Sequence, residues 1–225
     1  MAIRLQFDRI PPGVEIGPHR HGVETVVYIA GGEIVFEHGD ELERRTVVRA
    51  GDVLYEAPSE FHTVRNEGSI DALALLAAME PDPRRPGDIF RRWEADAEPV
   101  NRGGAAPVEV EGGIRRKLLV EPGDFGTASF TVFEVTIEAG LSDEWHRHPA
   151  SEHVLVVFEG RGEVSVGELV ETLEPLKGVR IEAGLAHRVE ATGRQRLRYC
   201  VVAAPARDRR ADRELVEAPR RRMDA

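Results

Sequence analysis

The chain has 225 residues, 41% of them hydrophobic, which is enough for one large core or two small ones, and it carries a formal net charge of −10. That acidic excess argues against a nucleic-acid groove or an anionic membrane surface as the main partner and leaves a small molecule as the expected ligand. A lone cysteine, Cys200 in the apolar run YCVVAA, excludes an intrachain disulfide framework; with no apolar signal core in MAIRLQFDRI and no membrane-length apolar run, a cytoplasmic protein is expected.

In chain order, TVVYIA (25–30), EIVFEHG (33–39), TVVRAGDVLYEAP (46–58) and ALALLAAM (72–79) are short runs rich in β-branched and apolar residues, bounded by Gly, Pro and Asp. RPGDIFRRWEADAEP (85–99) reads as a helix, set in a stretch where Pro, Gly and charge accumulate. The strand pattern resumes with SFTVFEVTIEAG (129–140), EHVLVVFEGRGEVSV (152–166) and RLRYCVVAAP (196–205). DRRADRELVEAPRRRMDA (208–225) has little apolar face and reads as a charged tail, helical or frayed. Regular turn signals between strands indicate an antiparallel sandwich or barrel rather than βαβ units. The expected organisation is a first β unit over 1–88, a partly helical linker over 89–108, a second β unit over 109–207 and the tail over 208–225.

The two β units are copies of one another. Gly13, His19, His21, Glu24, Gly32 and His62 recur in the same order and at nearly constant separation as Gly140, His146, His148, Glu152, Gly160 and His187. In an HRH segment on a strand, the two imidazoles point to one face while Arg20 or Arg147 turns away. A third imidazole from a distant strand, His62 or His187, and a carboxylate, Glu24 or Glu152, would complete three nitrogens and one oxygen around an ion. Such donors, without thiolates, suit Fe, Mn, Ni, Zn, Co or Cu. A solitary HxH is more often a polar strand face; the repetition weighs against that here, since only His38 and His153 of the eight histidines lack a counterpart. His38 reads as a turn residue in EHGD, and His153 as an outward or outer-shell group beside Glu152. Glu24 follows His21 so closely that an uninterrupted strand would turn it to the opposite face, and a bulge is needed to bring it back. Aromatic residues near these segments, among them Phe36 and Phe133, read as core or as pocket wall.

These segments resemble a known family. GVEIGPHRHGVETVVYIAGG and GLSDEWHRHPASEHVLVVFEG resemble the first cupin motif, and GDVLYEAPSEFHTVRN and GVRIEAGLAHRVEA the second. The resemblance implies an all-β bicupin, two tandem jelly-roll barrels with little helix. It implies up to two divalent transition-metal ions per chain, one on His19, His21, Glu24 and His62 and one on His146, His148, Glu152 and His187, with the two glutamates also able to act as bases. The departures are Glu60 where glycine is usual, a run from Pro58 to His62 that is one residue short, and, in the second copy, Glu182 in place of proline and Ala191 in place of asparagine. Asn66, Gly184 and His187 match the pattern. The family implies a metal-dependent enzyme acting on a small organic molecule, dioxygenase chemistry first, with isomerase or lyase chemistry next. A non-catalytic ligand-binding or regulatory cupin is the reading from another class. A homodimer is also implied by the resemblance, and no helix-turn-helix pattern points to DNA.

Overall fold

The computed structural model describes residues 2–39, 41–56, 58–80, 108–121, 130–208 and 210–218. The chain divides into two compact units, Met1–Ala106 and Pro107–Ala225. Among the described residues there is no helix, and hence none long and apolar enough to cross a membrane. The helix expected over 85–99 lies outside the described residues.

The first unit holds β1 (Ala2–Ile10), β2 (Glu15–His19), β3 (Thr25–Gly31), β4 (Glu33–His38), β5 (Arg44–Arg49), β6 (Val53–Glu56), β7 (His62–Arg65) and β8 (Ala72–Glu80). They form two four-stranded antiparallel sheets, ordered β1-β8-β3-β6 and β2-β7-β4-β5. Alternate residues of the two sheets meet in one core: Val27, Ile29 and Leu54 from the first, Ile34, Phe36 and Val64 from the second. Each such side chain removed from water contributes about 1.5–3 kcal/mol before entropy is counted.

The second unit repeats the plan with β9 (Val108–Glu111), β10 (Ile114–Val120), β11 (Thr131–Ile137), β12 (His146–Arg147), β13 (Glu152–Glu159), β14 (Gly162–Val166), β15 (Leu169–Leu173), β16 (Gly178–Ile181), β17 (His187–Glu190), β18 (Leu197–Ala204) and β19 (Glu214–Leu215). Its sheets run β16-β13-β18-β11-β10-β9 and β15-β14-β17-β12-β19. The period of two is visible in β11, where Phe133, Val135 and Ile137 enter the core, and in β18, where Leu197, Tyr199 and Val201 do so. Gly32 and Gly160 sit after β3 and β13 with φ of 70° and 82°, and a side chain at either would run into the backbone of Asp71 or Arg196.

One expectation is corrected. The segment from 208 onward, read as a helical or frayed tail, is a turn followed by a strand over its described part. Leu215 pairs with His146 and Glu214 with Arg147 at the edge of the second sheet. The chain therefore returns to the strand that carries the HRH segment, and its strand at Glu214–Leu215 belongs to the barrel's second sheet.

Asn66 shows how the second motif closes the first barrel. It is fully buried; its amide donates to the carbonyls of Ile10 (2.7 Å) and Ile70 (2.8 Å), and its Oδ1 accepts from Gly68 N (2.8 Å). At the matching place Ala191 keeps only the backbone part: its N–H donates to Leu141 O and its carbonyl accepts from Gly140 N, as Asn66 does with Val14 and Gly13. Asn66→Ala leaves the buried carbonyl of Ile10 and the part-buried carbonyl of Ile70 and N–H of Gly68 without this partner. It is expected to lower unfolding free energy by about 1–3 kcal/mol, measured by urea titration.

Candidate metal centres

In each unit a strand carrying the HxH segment lies antiparallel to the strand that begins with the late histidine. His19 is the cross-strand partner of His62, and His146 that of His187. Directly opposed residues share a face, so each pair enters the barrel together. The ligand atoms of His19, His21 and His62 lie within 4.8 Å of one another, as do those of His146, His148 and His187. The first cluster is half-buried, with the His21 side chain 29% exposed; the second is buried throughout.

The hydrogen bonds of these rings decide which nitrogen is offered. Nδ1 of His19 donates to Gly17 O (2.9 Å), of His62 to Glu60 O (3.1 Å), of His146 to Glu144 O (2.8 Å) and of His187 to Leu185 O (3.0 Å). Nδ1 of His148 donates to Asp212 O (2.9 Å). A carbonyl can only accept, so in each neutral ring the proton sits on Nδ1 and the Nε2 lone pair is free to bind a cation. In the first unit the buried Nε2 atoms of His21 and His62 and the Oε2 of Glu56 have no hydrogen-bond partner. A group of buried donors aimed at one point without protein partners fits a cation, as does the nitrogen-rich donor set.

The two glutamates expected to join these clusters do not. Thr25, not Glu24, faces the cavity: it pairs with Glu56, and the inward row continues through Val27 and Ile29. Glu24 precedes it on the opposite face. Tyr55 lies on that face, its hydroxyl pushed up first by burial and then by the Glu24 charge. Glu152 likewise turns out, to Arg180 at 3.4 Å, while His153 takes the inward place. His153 is 5% exposed and stacks on His148 with ring centres 3.7 Å apart, so it is not outward, while the expected outer-shell place beside a candidate ligand agrees with this contact. His38 is the last residue of β4 rather than a turn residue; it is buried, lies opposite His62 and bonds Glu60 through Nδ1 at 2.8 Å.

Several groups around the clusters had no local sequence signal. Glu56, 2% exposed, places its carboxylate 3.3 Å from His21 Nε2 and 3.6 Å from His62 Nε2. In the second unit a cavity of about 30 Å³ is lined by His146, His148, His153 and His187 together with Arg116, Asp143, Tyr199 and Arg213. Arg116 Nη2 binds Asp143 Oδ2 at 3.0 Å and Arg213 Nη2 binds Oδ1 at 2.9 Å. Asp212 supports the HRH turn through Ala150 N (2.9 Å) and the Ser151 hydroxyl.

Burial dominates the electrostatics. It lowers His62 and His148 to about 4 and His146 to about 3, with neighbouring histidines adding to the effect; His21, His153 and His187 move the same way. Burial, then the Glu60 charge, raises Glu56 to about 8. Burial also opposes the Asp143 charge, but His146, Arg116 and Arg213 together outweigh it and hold that carboxyl low.

Two tandem cupin barrels are the class these observations define. The Cupin domain family model matches residues 6–78 and 133–203, and the chain belongs to the cupin family. It is 36% identical over 73 residues to the oxalate-binding protein of Thermotoga maritima, a match covering 32% of this chain and 56% of that protein, so it spans just over half of that relative's length. Among solved structures, the fold superposes on the Lactobacillus farciminis oxalate decarboxylase formate complex with a TM-score of 0.73 at 14% identity, covering 95% of this chain and 79% of the other. A Bacillus subtilis oxalate decarboxylase with Mn(II) centres gives 0.72 at 17% identity, covering 92% and 70%. The coconut allergen cocosin gives 0.74 at 11% identity, covering 91% and 77%. At such identities the likeness establishes the bicupin fold.

The shifted groups fix a pH dependence for the metal-free protein. A histidine whose folded value is depressed leaves the unfolded chain with more bound protons between the two values. Its contribution is therefore complete above 6.5 and is lost as pH falls towards 3 or 4. Glu56 has the opposite sign: raised from 4.5 to about 8, it costs stability progressively as pH rises through that range. The several histidines outweigh one carboxyl below 6.5. Urea midpoints of chelator-treated protein are expected to peak near pH 6.5, and Glu56→Gln should flatten the decline between 6.5 and 8 and steepen the rise between 4.5 and 6.5.

Proposed function

We propose that the chain is a metal-dependent cupin whose C-terminal unit takes a small dicarboxylate anion, oxalate being the simplest, at a divalent cation held by His146, His148 and His187. The observation that carries this reading is the charge of the cavity wall. Two guanidinium groups, Arg116 and Arg213, share the one buried carboxylate of Asp143, and the other carboxylates they reach, Glu111 at 4.0 Å and Glu144 at 3.9 Å, are exposed, so inside the cavity wall one positive charge lacks a close buried counterion beside imidazoles that burial keeps neutral. The buried Nε of Arg213 has no hydrogen-bond partner and is the donor left for an incoming carboxylate. A bound divalent ion would add to the attraction for a dianion and supply open coordination positions for its oxygens. The cavity, about 30 Å³, admits a ligand of few heavy atoms, since a water needs roughly 10–15 Å³ on this measure. Identity to an oxalate-binding protein supports the same ligand class.

A second reading, in which the anion is cleaved by lyase chemistry, has Tyr199 behind it. This residue lines the same cavity, and burial, then the Asp143 charge, holds its hydroxyl protonated, so it can donate a hydrogen bond to a carboxylate oxygen of the anion as carbon dioxide departs, the proton for the carbon coming from solvent. Oxygenase chemistry, which the family resemblance put first, has no group at this centre that singles it out.

The test begins with metal content per chain by elemental mass spectrometry on untagged protein, followed by calorimetry with oxalate. Metal-loaded protein is expected to bind oxalate, and Arg213→Ala to weaken that binding about 10- to 100-fold at unchanged metal content, the usual scale for losing a charge-assisted contact. Metal-loaded protein that ignores oxalate and its homologue malonate sinks the reading. Formate released from oxalate without uptake of oxygen, by a reaction that consumes one proton per carbon dioxide formed, separates turnover from binding alone.

A further inference from the structure

The N-terminal centre is not a copy of the C-terminal one. Two inward cross-strand positions beside the imidazoles are filled differently in the two units. In the first unit they are Thr25 and Glu56, partners across β3 and β6; in the second they are His153 and Ile181, partners across β13 and β16. The first unit thus has a carboxylate where the second has an aliphatic side chain, and a hydroxyl where the second has an imidazole.

Glu56 is held in an arrangement that protein groups alone do not satisfy. Its two oxygens stand 3.3 and 3.6 Å from the Nε2 atoms of His21 and His62, and Oε2 and both nitrogens are buried without hydrogen-bond partners. Those separations are longer than hydrogen bonds between such groups but equal to the edge of a coordination tetrahedron, about 3.4 Å for bonds of about 2.1 Å. An isolated carboxyl with 2% exposure and no full complement of partners is costly to bury, and a shared cation removes that cost. Glu24, which the motif spacing points to, faces the other way.

We propose that Glu56, supplied by the neighbouring strand β6, is the carboxylate ligand of the N-terminal centre in place of Glu24. That centre is then three imidazoles and a carboxylate, whereas the C-terminal cluster is built of imidazoles. The inference rests on the reading that the His19, His21 and His62 cluster binds metal. With a divalent ion bound, Glu56 cancels one of its two charges, so the N-terminal centre draws an anionic ligand less strongly than the Arg-lined C-terminal one.

The test uses the full chain, titrated with Co(II) and followed by its visible absorption and by metal content after desalting. His62→Ala and His187→Ala identify which equivalent belongs to which unit. Glu56→Gln, nearly isosteric, is expected to weaken the His62-dependent equivalent about 10-fold or more and to change its absorption band, on the scale of losing a ligand or its close support. It should leave the His187-dependent equivalent intact, and Glu24→Gln should leave both. Glu56→Asp, which keeps the charge but retracts it by one methylene, should fall between wild type and Glu56→Gln, and gives a second route should the amide variant fold poorly. A His62-dependent equivalent that survives Glu56→Gln unchanged, or is lost in Glu24→Gln, overturns this inference alone. A wild-type chain with no His62-dependent equivalent overturns it together with the metal-binding reading of that unit.

Discussion

Both centres depend on one hydrogen bond, from Nδ1 to a backbone carbonyl, repeated at His19, His62, His146, His148 and His187. His62, His146 and His187 are each the first residue of a strand, and the carbonyl two residues earlier lies outside the ladder and is free to accept. The same bond at His19 comes from Gly17. Each ring is thereby turned into the barrel with its other nitrogen exposed to the cavity and its tautomer settled before any ligand arrives. The barrel makes this possible by register: cross-strand pairing brings His19 opposite His62 and His146 opposite His187, residues too far apart in sequence for any local turn to join.

On that shared frame the two units set different electrostatic conditions. The first surrounds its imidazoles with an acid, Glu56, and leaves His21 partly open to solvent. The second encloses its imidazoles completely, adds His153 as a stacked neutral ring, and walls the cavity with Arg116 and Arg213 around Asp143. The chain's return through β19 is part of this difference. It delivers Arg213 to Asp143, and the backbone of Asp212 to His148, so that the end of the described chain completes a cavity formed mainly by earlier strands. Neutral imidazoles are good ligands and poor anchors for anions; guanidiniums are the reverse. Only the second unit has both in one cavity.

The fold was legible in the sequence because a period of two and regular glycine turns leave a direct mark on composition, and because duplication displayed each mark twice. The histidines were legible for the same reason. Parity already warned that Glu24 would face away, and the fold contains no bulge that turns it back. The outward alternative for His153 failed because its neighbour Glu152 fitted a motif, although the inward row through Leu155 and Val157 assigns position 153 to the cavity. Glu56, Arg116, Asp143 and Arg213 were invisible for a different reason. Glu56, Arg116 and Arg213 are brought to the histidines by the meeting of distant segments, which no window of sequence contains, whereas Asp143 is three residues before His146 and 3.9 Å from its Nδ1, within reach of the motif but not part of its pattern. The 208–225 segment was read by its charge, and charge alone does not separate a solvated arginine from one whose partner carboxylate is buried elsewhere in the barrel.

The C-terminal wall also constrains how its ligands relate. Arg116 and Asp143 are nearly inaccessible, and Arg213 is largely buried beside them; the other carboxylates these arginines reach, Glu111 and Glu144, are exposed and 4.0 and 3.9 Å away, so inside the wall one positive charge lacks a close buried counterion. Burying such a charge without a counterion is expensive. On the proposed reading a divalent cation in the neighbouring imidazole cage raises the local positive charge further, so the cage holds its ion against repulsion from the arginines until an anion enters between them. A dicarboxylate that touches both would relieve the two costs at once. By thermodynamic reciprocity the anion must then tighten the cation by the factor by which the cation tightens the anion. Replacing Asp143 would remove the buried negative charge that lies between the two arginines and moderates this repulsion. The aspartate is therefore a structural partner of the arginines and also the group that lets a cation be held in their company.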